Sequence, residues 1–343
     1  MLLRSMIQSK RGSGSYLNTA KIWHFFLFPL LFIYALYWGL RPVSVGTDTP
    51  AYVGMFLAYL KQDPGFLESI DKGFLGLISF SRLFSTDPQS LLLTVCLLEA
   101  VCFYLVGVLF LRRPFYVFLY VVFLLISPFY LSININILRH GTAIAVALLG
   151  MAVVFRLRKP VYRVLLAYPP VLFHNVAGLL ATPIFIGVTR INMVYVWLTL
   201  ASISVFSGFY SSFVSQYLTG RYVDYAAAET TYRVGFRPDF TFFSSLPIFL
   251  LLIVPFRKMS SETRWVFNAY LLINGVGLTM NFISFSDRML TNSWVMLPLL
   301  FALVIRDING RAFKKRVNKN FFTFAVIAAM LMINLAFYIR PTS

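Results

Sequence analysis

Two histidines of this sequence lie beside polar neighbours in otherwise apolar stretches. His174 and Asn175 stand between the apolar runs PPVLF and VAGLL, and Arg139 and His140 follow the stretch SININIL. Polar side chains are costly inside a membrane and mark a functional site there by default. A neutral imidazole can act as a general base near neutral pH, so a base is predicted at His174. Arg139 and His140 are predicted to contact a ligand, the alternative for Arg139 being an anchor at the membrane boundary.

Arginines in the second half of the chain suit an anionic ligand. Arg233 and Arg237 are four residues apart in the stretch YRVGFRPDF, where Gly and Pro constrain the backbone. Arginine binds phosphate oxygens bidentately and keeps its charge at physiological pH. The pattern predicts a phosphate or pyrophosphate clamp, to which Arg288 is a further candidate. The alternatives are a juxtamembrane anchor paired with Asp239 and, at Arg288, a local ion pair with Asp287.

The stretch VGTDTPAY supplies two more candidate ligand-binding residues. Asp48, like Asp239 later in the chain, is predicted to orient an arginine or to bind sugar hydroxyl groups. A turn or helix N-cap residue would give the same pattern at Asp48. Tyr52 is predicted to stack on a sugar ring or to hold a lipid chain, unless it belongs to the ordinary aromatic belt of a membrane protein.

Several other kinds of site are disfavoured by the sequence. It contains no glycine-rich nucleotide loop, no DxD and no HExxH. Cys96 and Cys102 fall inside one apolar segment and form neither a disulfide framework nor a metal-binding pattern. We therefore expect no cofactor and no metal, and an arginine-rich site that suits a lipid-linked anionic substrate.

The composition requires that membrane helices position these residues. The chain has 343 residues, of which 59% are hydrophobic and 12% charged. A soluble domain has about 25% charged residues. A soluble globule cannot cover so much apolar surface, and inside lipid only helices satisfy the backbone polar groups of such spans. The predicted fold is all-α, a polytopic helical bundle that forms a single integral membrane domain over residues 1–343.

Nine segments are predicted as full spans, for each of which roughly 20 apolar residues are needed. They are 22–40, 90–111, 115–131, 141–155, 193–210, 241–256, 265–283, 289–305 and 321–339. The segment 162–188 is predicted to form two short helices that meet near a polar cavity, because it is interrupted by Pro169, Pro170, His174, Asn175 and Pro183. Residues 72–86 are predicted to form an amphipathic helix in the membrane interface.

The net charge of +18 is explained by membrane topology, and we expect no nucleic-acid partner. If the N-terminal tail, residues 1–21, is cytoplasmic, most of the 30 Lys and Arg residues lie on the cytoplasmic side and most of the 12 acidic residues lie on the other. This is the positive-inside pattern. It predicts that the two long outer loops are 41–89 and 211–240 and that the site faces outward.

Four stretches of the sequence, in order along most of the chain, carry a family resemblance. They are GTDTPAYVGMF (46–56) with the following DPGF (63–66) or DKGF (71–74), NINILRHGTAIAVAL (134–148), VLFHNVAGLLATPIF (171–185) and GFRPDFTFFSSLPIF (235–249). Together they resemble the EpsG/Wzy group of bacterial polysaccharide polymerases. Two departures are clear: His140 stands where the group has Gln, and residues 175–177 lack the Ser that follows the group's second histidine.

The resemblance implies a metal-independent glycosyltransferase with a GT-C-like fold in the bacterial inner membrane. The implied substrate is an oligosaccharide repeat unit on undecaprenyl pyrophosphate at the outer, periplasmic face, polymerised into O-antigen, capsule or exopolysaccharide. Membrane lipid and a chain-length regulator are the other expected partners. The expected catalytic residues are His174, Arg139 and Arg237, and the expected substrate-binding residues are Arg233, Arg288, Asp48, Asp239, His140, Asn175 and Tyr52.

Three other functions stay open at this point. An O-antigen ligase shares the chemistry but usually has a longer outer loop than 211–240. A flippase or exporter of lipid-linked glycans predicts charged residues along a pore and pseudo-symmetric halves, and the sequence has no internal repeat. An acyltransferase predicts a catalytic histidine that faces a cytoplasmic acyl donor.

Overall fold

The computed structural model describes residues 27–157, 159–174, 178–186, 192–217, 234–284, 286–312 and 316–339. Every regular element in these residues is helical, which confirms the all-α prediction. The first helices are α1 (Leu27–Gly39), α2 (Thr49–Lys61), α3 (Lys72–Arg82), α4 (Gln89–Leu111), α5 (Pro114–Leu125), α6 (Pro128–Ile135) and α7 (Leu138–Leu157). The later ones are α8 (Pro160–Phe173), α9 (Gly178–Ile186), α10 (Val194–Val205), α11 (Ser207–Ser215), α12 (Pro238–Ile253), α13 (Ser261–Thr279), α14 (Ser286–Trp294), α15 (Leu297–Asp307) and α16 (Arg316–Ile339).

Within the described residues, three helical segments are long and apolar enough to cross a membrane: α4, α7 and the 25-residue segment Ser286–Gly310, which contains α14 and α15. Two further pairs are bent, α5 with α6 by 65° and α10 with α11 by 89°, which gives up to five spans if each pair is one span. Pro128 is the first residue of α6 and accounts for the first bend, because a proline favours the start of a helix and disfavours the helical conformation of the residue before it. Up to five of the nine predicted full spans are thus supported, and the others stay predictions.

A large cluster of buried apolar side chains runs through the bundle and draws on helices from α1 to α16. Within it α7 packs against α4, α8 and α9. The contact with α4 is close: a Cβ added at Gly141 would lie 2.7 Å from the Glu99 Oε1 atom. Thr142 donates a hydrogen bond to the same oxygen over 3.3 Å. These contacts fix the first turn of α7, which carries Arg139 and His140.

The segment 41–89 forms a second, smaller core. Tyr52 and Phe56 of α2 are buried with Phe74 and Ile78 of α3, and Leu138 of α7 belongs to the same cluster. A helix was predicted at 72–86, and α3 forms there. One of its faces packs inward, while large apolar side chains of the same region are exposed, as at Phe80, Leu83 and Phe84. The cluster holds this segment against the start of α7.

The interruption predicted within 162–188 is present, at a different residue from the two prolines. Pro169 and Pro170 lie inside α8 and Pro183 lies inside α9, so these prolines do not end a helix. The helix ends at His174, whose backbone is extended (φ −162°, ψ 129°). Gly73 of α3 lies against this end of α8, since an added Cβ would be 2.9 Å from the backbone of Leu172. His174 is thus held close to the 41–89 segment.

Candidate active site

One cavity of about 210 Å³ collects six of the ten candidate residues. It is lined by Asp48, Ala51, Tyr52, Met55, Ile137, Arg139, His140, His174 and Arg288. These residues come from α2, α7, the end of α8 and α14, so elements far apart in sequence converge there. The cavity therefore combines two guanidinium groups, a carboxylate and two imidazoles.

The first turns of three helices line this cavity. Asp48 is the N-cap residue of α2, Arg139 lies in the first turn of α7, and Arg288 lies in the first turn of α14. Helix N-termini carry backbone N–H groups without intrahelical partners and a partial positive charge. Anionic groups are commonly bound at such ends. The dipoles of these three helices therefore add a partial positive potential to the charge of the arginines.

The loop that carries Asp48 is fixed by a buried arginine. Arg41 is 4% exposed and donates hydrogen bonds to the Trp38 carbonyl (2.6 Å), to the Thr49 hydroxyl (3.2 Å) and to the Ile135 carbonyl (2.9 Å). Gly46 makes the close approach possible, because its φ is +100° and an added Cβ would lie 2.9 Å from the Ile135 carbonyl oxygen. The glycine of the sequence stretch GTD thus has a conformational role.

Asn136, which lies between α6 and α7, connects the same loop to the junction of these helices. Its side-chain oxygen accepts a hydrogen bond from the Thr47 backbone N–H over 3.0 Å, and its carbonyl accepts one from the Tyr52 hydroxyl over 3.3 Å. Burial raises the pKa of Tyr52 to about 12, so this hydroxyl keeps its proton at physiological pH. Tyr52 therefore acts here as a neutral hydrogen-bond donor on the wall of the cavity.

Each arginine of the cavity forms an ion pair with a carboxylate of the 41–89 segment. Arg139 Nη1 lies 3.0 Å from Asp71 Oδ2, and Arg288 Nη2 lies 3.2 Å from Asp48 Oδ2. The side chain of Arg139 is nearly buried, whereas that of Arg288 is partly exposed. The carboxylates orient the arginines and balance their charge.

The two histidines of the cavity are in ring contact. Their ring centroids are 5.1 Å apart and the rings are nearly perpendicular. Nε2 of His140 lies 2.6 Å from Oδ1 of Asn292, a buried residue of α14. His174 is half-buried and closes the cavity from the end of α8. We refer to these two imidazoles as the imidazole side of the cavity and to Arg139 and Arg288 as its arginine side.

Arg237 is not among the residues that line the cavity. It forms a bidentate ion pair with Asp239, with distances of 3.1 Å and 2.8 Å, and its guanidinium lies 3.9 Å from the ring centroid of Phe240. Phe240 in turn contacts Trp294 of α14, the helix that carries Arg288. Two other predicted site residues, Arg233 and Asn175, lie outside the described residues.

Three residues around the cavity were not among the predicted site residues. Asp71 was considered only as an acid of the first loop, Arg41 only as a loop charge, and Asn292 not at all. An amide inside the apolar run 289–305 was the available signal for Asn292, because polar groups in such runs need partners. In the part of the chain that the structure describes, no group of three or more His, Cys, Asp or Glu residues is arranged to hold a metal ion.

Comparison with known families gives one match, to a family model described as the EpsG family, over residues 23–342. The chain belongs to the EpsG family. The resemblance seen in the sequence is thereby confirmed. Membership in the EpsG family indicates a glycosyltransferase-like polysaccharide polymerase, and the apolar helices agree with a membrane protein. No curated protein and no solved structure matches the chain.

Proposed function

We propose that this EpsG-family chain polymerises oligosaccharide repeat units carried on undecaprenyl pyrophosphate at the outer face of the bacterial inner membrane. The observation that carries the proposal is the cavity itself, where Arg139 and Arg288 from two separate helices meet the imidazoles of His140 and His174. This arrangement suits a reaction with an anionic leaving group and a hydroxyl nucleophile. The charge asymmetry of the loops supports the outward orientation.

The arginine side of the cavity is proposed to bind the diphosphate of the donor. Arginine binds phosphoryl oxygens with paired hydrogen bonds, which are stronger than neutral ones. In the free protein Asp48 and Asp71 occupy the two guanidinium groups. A diphosphate would take the place of these carboxylates, and the helix N-termini would add to its stabilisation. The positive charge of the arginines leads us to propose that the reaction needs no metal.

The imidazole side is proposed to serve the acceptor sugar. An acceptor hydroxyl oxygen attacks the anomeric carbon of the donor and forms the new glycosidic bond. The bond from that carbon to the diphosphate oxygen breaks, and undecaprenyl pyrophosphate leaves with the electron pair. His174 takes the hydroxyl proton as general base. Tyr52, which lines the same cavity, is proposed to contact a sugar ring.

Roles are also proposed for four further predicted site residues: Arg233, Arg237 and Asp239, which are close in sequence to the start of α12, and Asn175, which follows α8 in sequence. Arg237 and Arg233 would hold the substrate diphosphate or its neighbouring sugar as it enters, with Asp239 orienting Arg237. Asn175 is proposed to bind substrate next to His174. These roles rest on the sequence pattern and, for Arg237, on the ring contact of Phe240 with α14.

A deletion strain complemented with variants tests the proposal through the surface polysaccharide, resolved as a ladder. Arg139→Gln and Arg288→Gln are expected to lower the polymerisation rate by about 10² to 10³, the usual effect of removing a charge-stabilising donor. Arg82→Gln is the matched control, because Arg82 is an exposed arginine of the same 41–89 segment and does not line the cavity. Wild-type ladders from both cavity variants would refute the proposed diphosphate site.

The deletion strain itself separates the proposed function from its alternatives. If the chain is a polymerase, its deletion leaves single repeat units on the surface glycan and no long chains. Loss of all surface glycan, with full-length polymer accumulating on its lipid, would identify a ligase instead. Accumulation of single lipid-linked units on the cytoplasmic side would identify a flippase.

A further inference from the structure

The amide of Asn292 has a fixed orientation. Its Nδ2 donates a hydrogen bond to the Met289 carbonyl over 3.0 Å, and a carbonyl oxygen can only accept. The opposite orientation would place two oxygens against each other. The side-chain oxygen Oδ1 therefore faces the His140 ring, where it lies 2.6 Å from Nε2.

The helix that carries Asn292 is itself held in place by buried polar contacts. Trp294 Nε1 donates to the Ser244 hydroxyl of α12 over 3.1 Å, and Asn274 of α13 donates to the Ser293 hydroxyl over 2.9 Å. Both bonds are buried, and they are made by the two residues that follow Asn292 in sequence. A shift of α14 would break them, and unsatisfied buried polar groups are costly. The position of Asn292 relative to α12 and α13 is thus well determined, and its contact with His140 joins it to α7.

We infer that Asn292 is a positioning residue that holds neutral His140 as the Nε2–H tautomer, so that Nδ1 accepts a hydrogen bond from an acceptor-sugar hydroxyl. An amide oxygen is only an acceptor, so the nitrogen that contacts it carries the hydrogen. A neutral imidazole has one N–H, which leaves Nδ1 as the acceptor. Among the described residues Asn292 is the one hydrogen-bond partner of this ring.

The neutral ring fits its charged surroundings. His140 is 3% exposed, and the groups that share its cavity are the guanidinium groups of Arg139 and Arg288, the carboxylate of Asp48, the imidazole of His174 and the hydroxyl of Tyr52. The carboxylate of Asp48 is already paired with Arg288, so it is not available to stabilise a second proton on the ring. A neutral acceptor nitrogen suits an uncharged hydroxyl ligand and not the diphosphate. The inference rests on the proposed function for the identity of that ligand.

Nitrogen NMR of the histidine rings tests the tautomer directly. The chain has three histidines, so ring-¹⁵N labelling of the purified full-length protein in lipid nanodiscs gives three ring systems. Variants His24→Gln and His174→Gln assign the signals of His140. The expected spectrum has a protonated Nε2 and an unprotonated Nδ1. A protonated Nδ1, with or without a proton on Nε2, would overturn the inference.

Two substitutions test whether Asn292 sets the tautomer. Asn292→Leu removes the acceptor at similar size, and His140 is expected to become a mixture of both tautomers. Asn292→Asp places a carboxylate on Nε2, which stabilises the charged ring, so both nitrogens are expected to carry protons. An unchanged His140 spectrum in both variants would overturn the role of Asn292. Because this readout needs no turnover, it stands even if the proposed function fails.

Kinetics with lipid-linked repeat units extracted from the deletion strain test the acceptor role. Loss of one well-placed hydrogen bond, about 1.4 kcal/mol, corresponds to about tenfold in rate. Asn292→Leu is expected to lower polymerisation about tenfold while the inhibition constant for added inorganic diphosphate stays the same, since the arginine side is untouched. An equal loss in both measurements would indicate a merely structural role and contradict the inference.

Discussion

Replacing Gly46 by alanine tests how the loop of Asp48 is held. Gly46 has a φ of +100°, a region that L residues with a side chain rarely adopt. The new Cβ would lie 2.7 Å from Ile135 Cγ2, 2.7 Å from the Thr49 hydroxyl and 2.9 Å from the Ile135 carbonyl oxygen. The side chain of Ile135 can move, but its carbonyl is backbone that also accepts a hydrogen bond from Arg41.

The expected cost of Gly46→Ala follows from these two effects. The left-handed backbone costs an alanine about 1 to 2 kcal/mol. Relief of the close contacts by a shift of the loop costs about 1 to 3 kcal/mol, as in other overpacked sites. The sum is about 2 to 5 kcal/mol of folding stability. Because the loop leads directly into Asp48, the same shift disturbs the ion pair with Arg288 and shortens the polymer.

Thermal unfolding of the purified protein in nanodiscs and the polymer ladder of the complemented strain measure the two consequences. Gly54→Ala is the matched control, since Gly54 lies in α2 with no atom near its added Cβ. Alanine favours a helix by about 1 kcal/mol over glycine, so this variant should be as stable as wild type or more stable. Wild-type melting and polymer length in Gly46→Ala would refute the proposed close approach.

Three further substitutions test the site. Arg237→Ala is expected to abolish long polymer while the protein stays in the membrane, and polymer of normal length on the ladder would contradict the clamp. His174→Gln removes the titratable ring and is expected to lower the polymerisation rate by about 10² to 10⁴ in the extracted-substrate assay, whereas an undiminished rate would show that His174 only packs. Asp71→Asn leaves the nearly buried Arg139 without its carboxylate, and breaking such a pair costs about 3 to 5 kcal/mol. Its melting temperature should fall, while that of Glu68→Gln, an exposed control in the same segment, should not.

The sequence predicts those features that depend on local composition. A histidine and two prolines in an apolar run predict an interrupted helix, and the interruption is found at His174. The prediction that Pro169 and Pro170 interrupt the helix was wrong, because a helix tolerates prolines where the lost hydrogen bonds are compensated. The bends after α5 and α10 were not predicted, since continuous apolar runs cover both of them.

Pairings between distant residues could not be predicted from one sequence. Arg288 was considered with its neighbour Asp287, but its ion pair in the structure is with Asp48, 240 residues away. Arg41 bonds mainly to backbone carbonyls, and no residue pattern reports such partners. The local pairing of Arg237 with Asp239, by contrast, was among the alternatives because a single residue separates them.

The two ion pairs between the cavity and the 41–89 segment limit how members of this family can be recombined. Asp48, just before α2, pairs with Arg288 of α14, and Asp71, just before α3, pairs with Arg139 of α7. A chimera that exchanges the segment alone would bring foreign acids to unchanged arginines. Transplants intended to alter sugar preference should therefore move residues 41–89 together with the first turns of α7 and α14 as one unit.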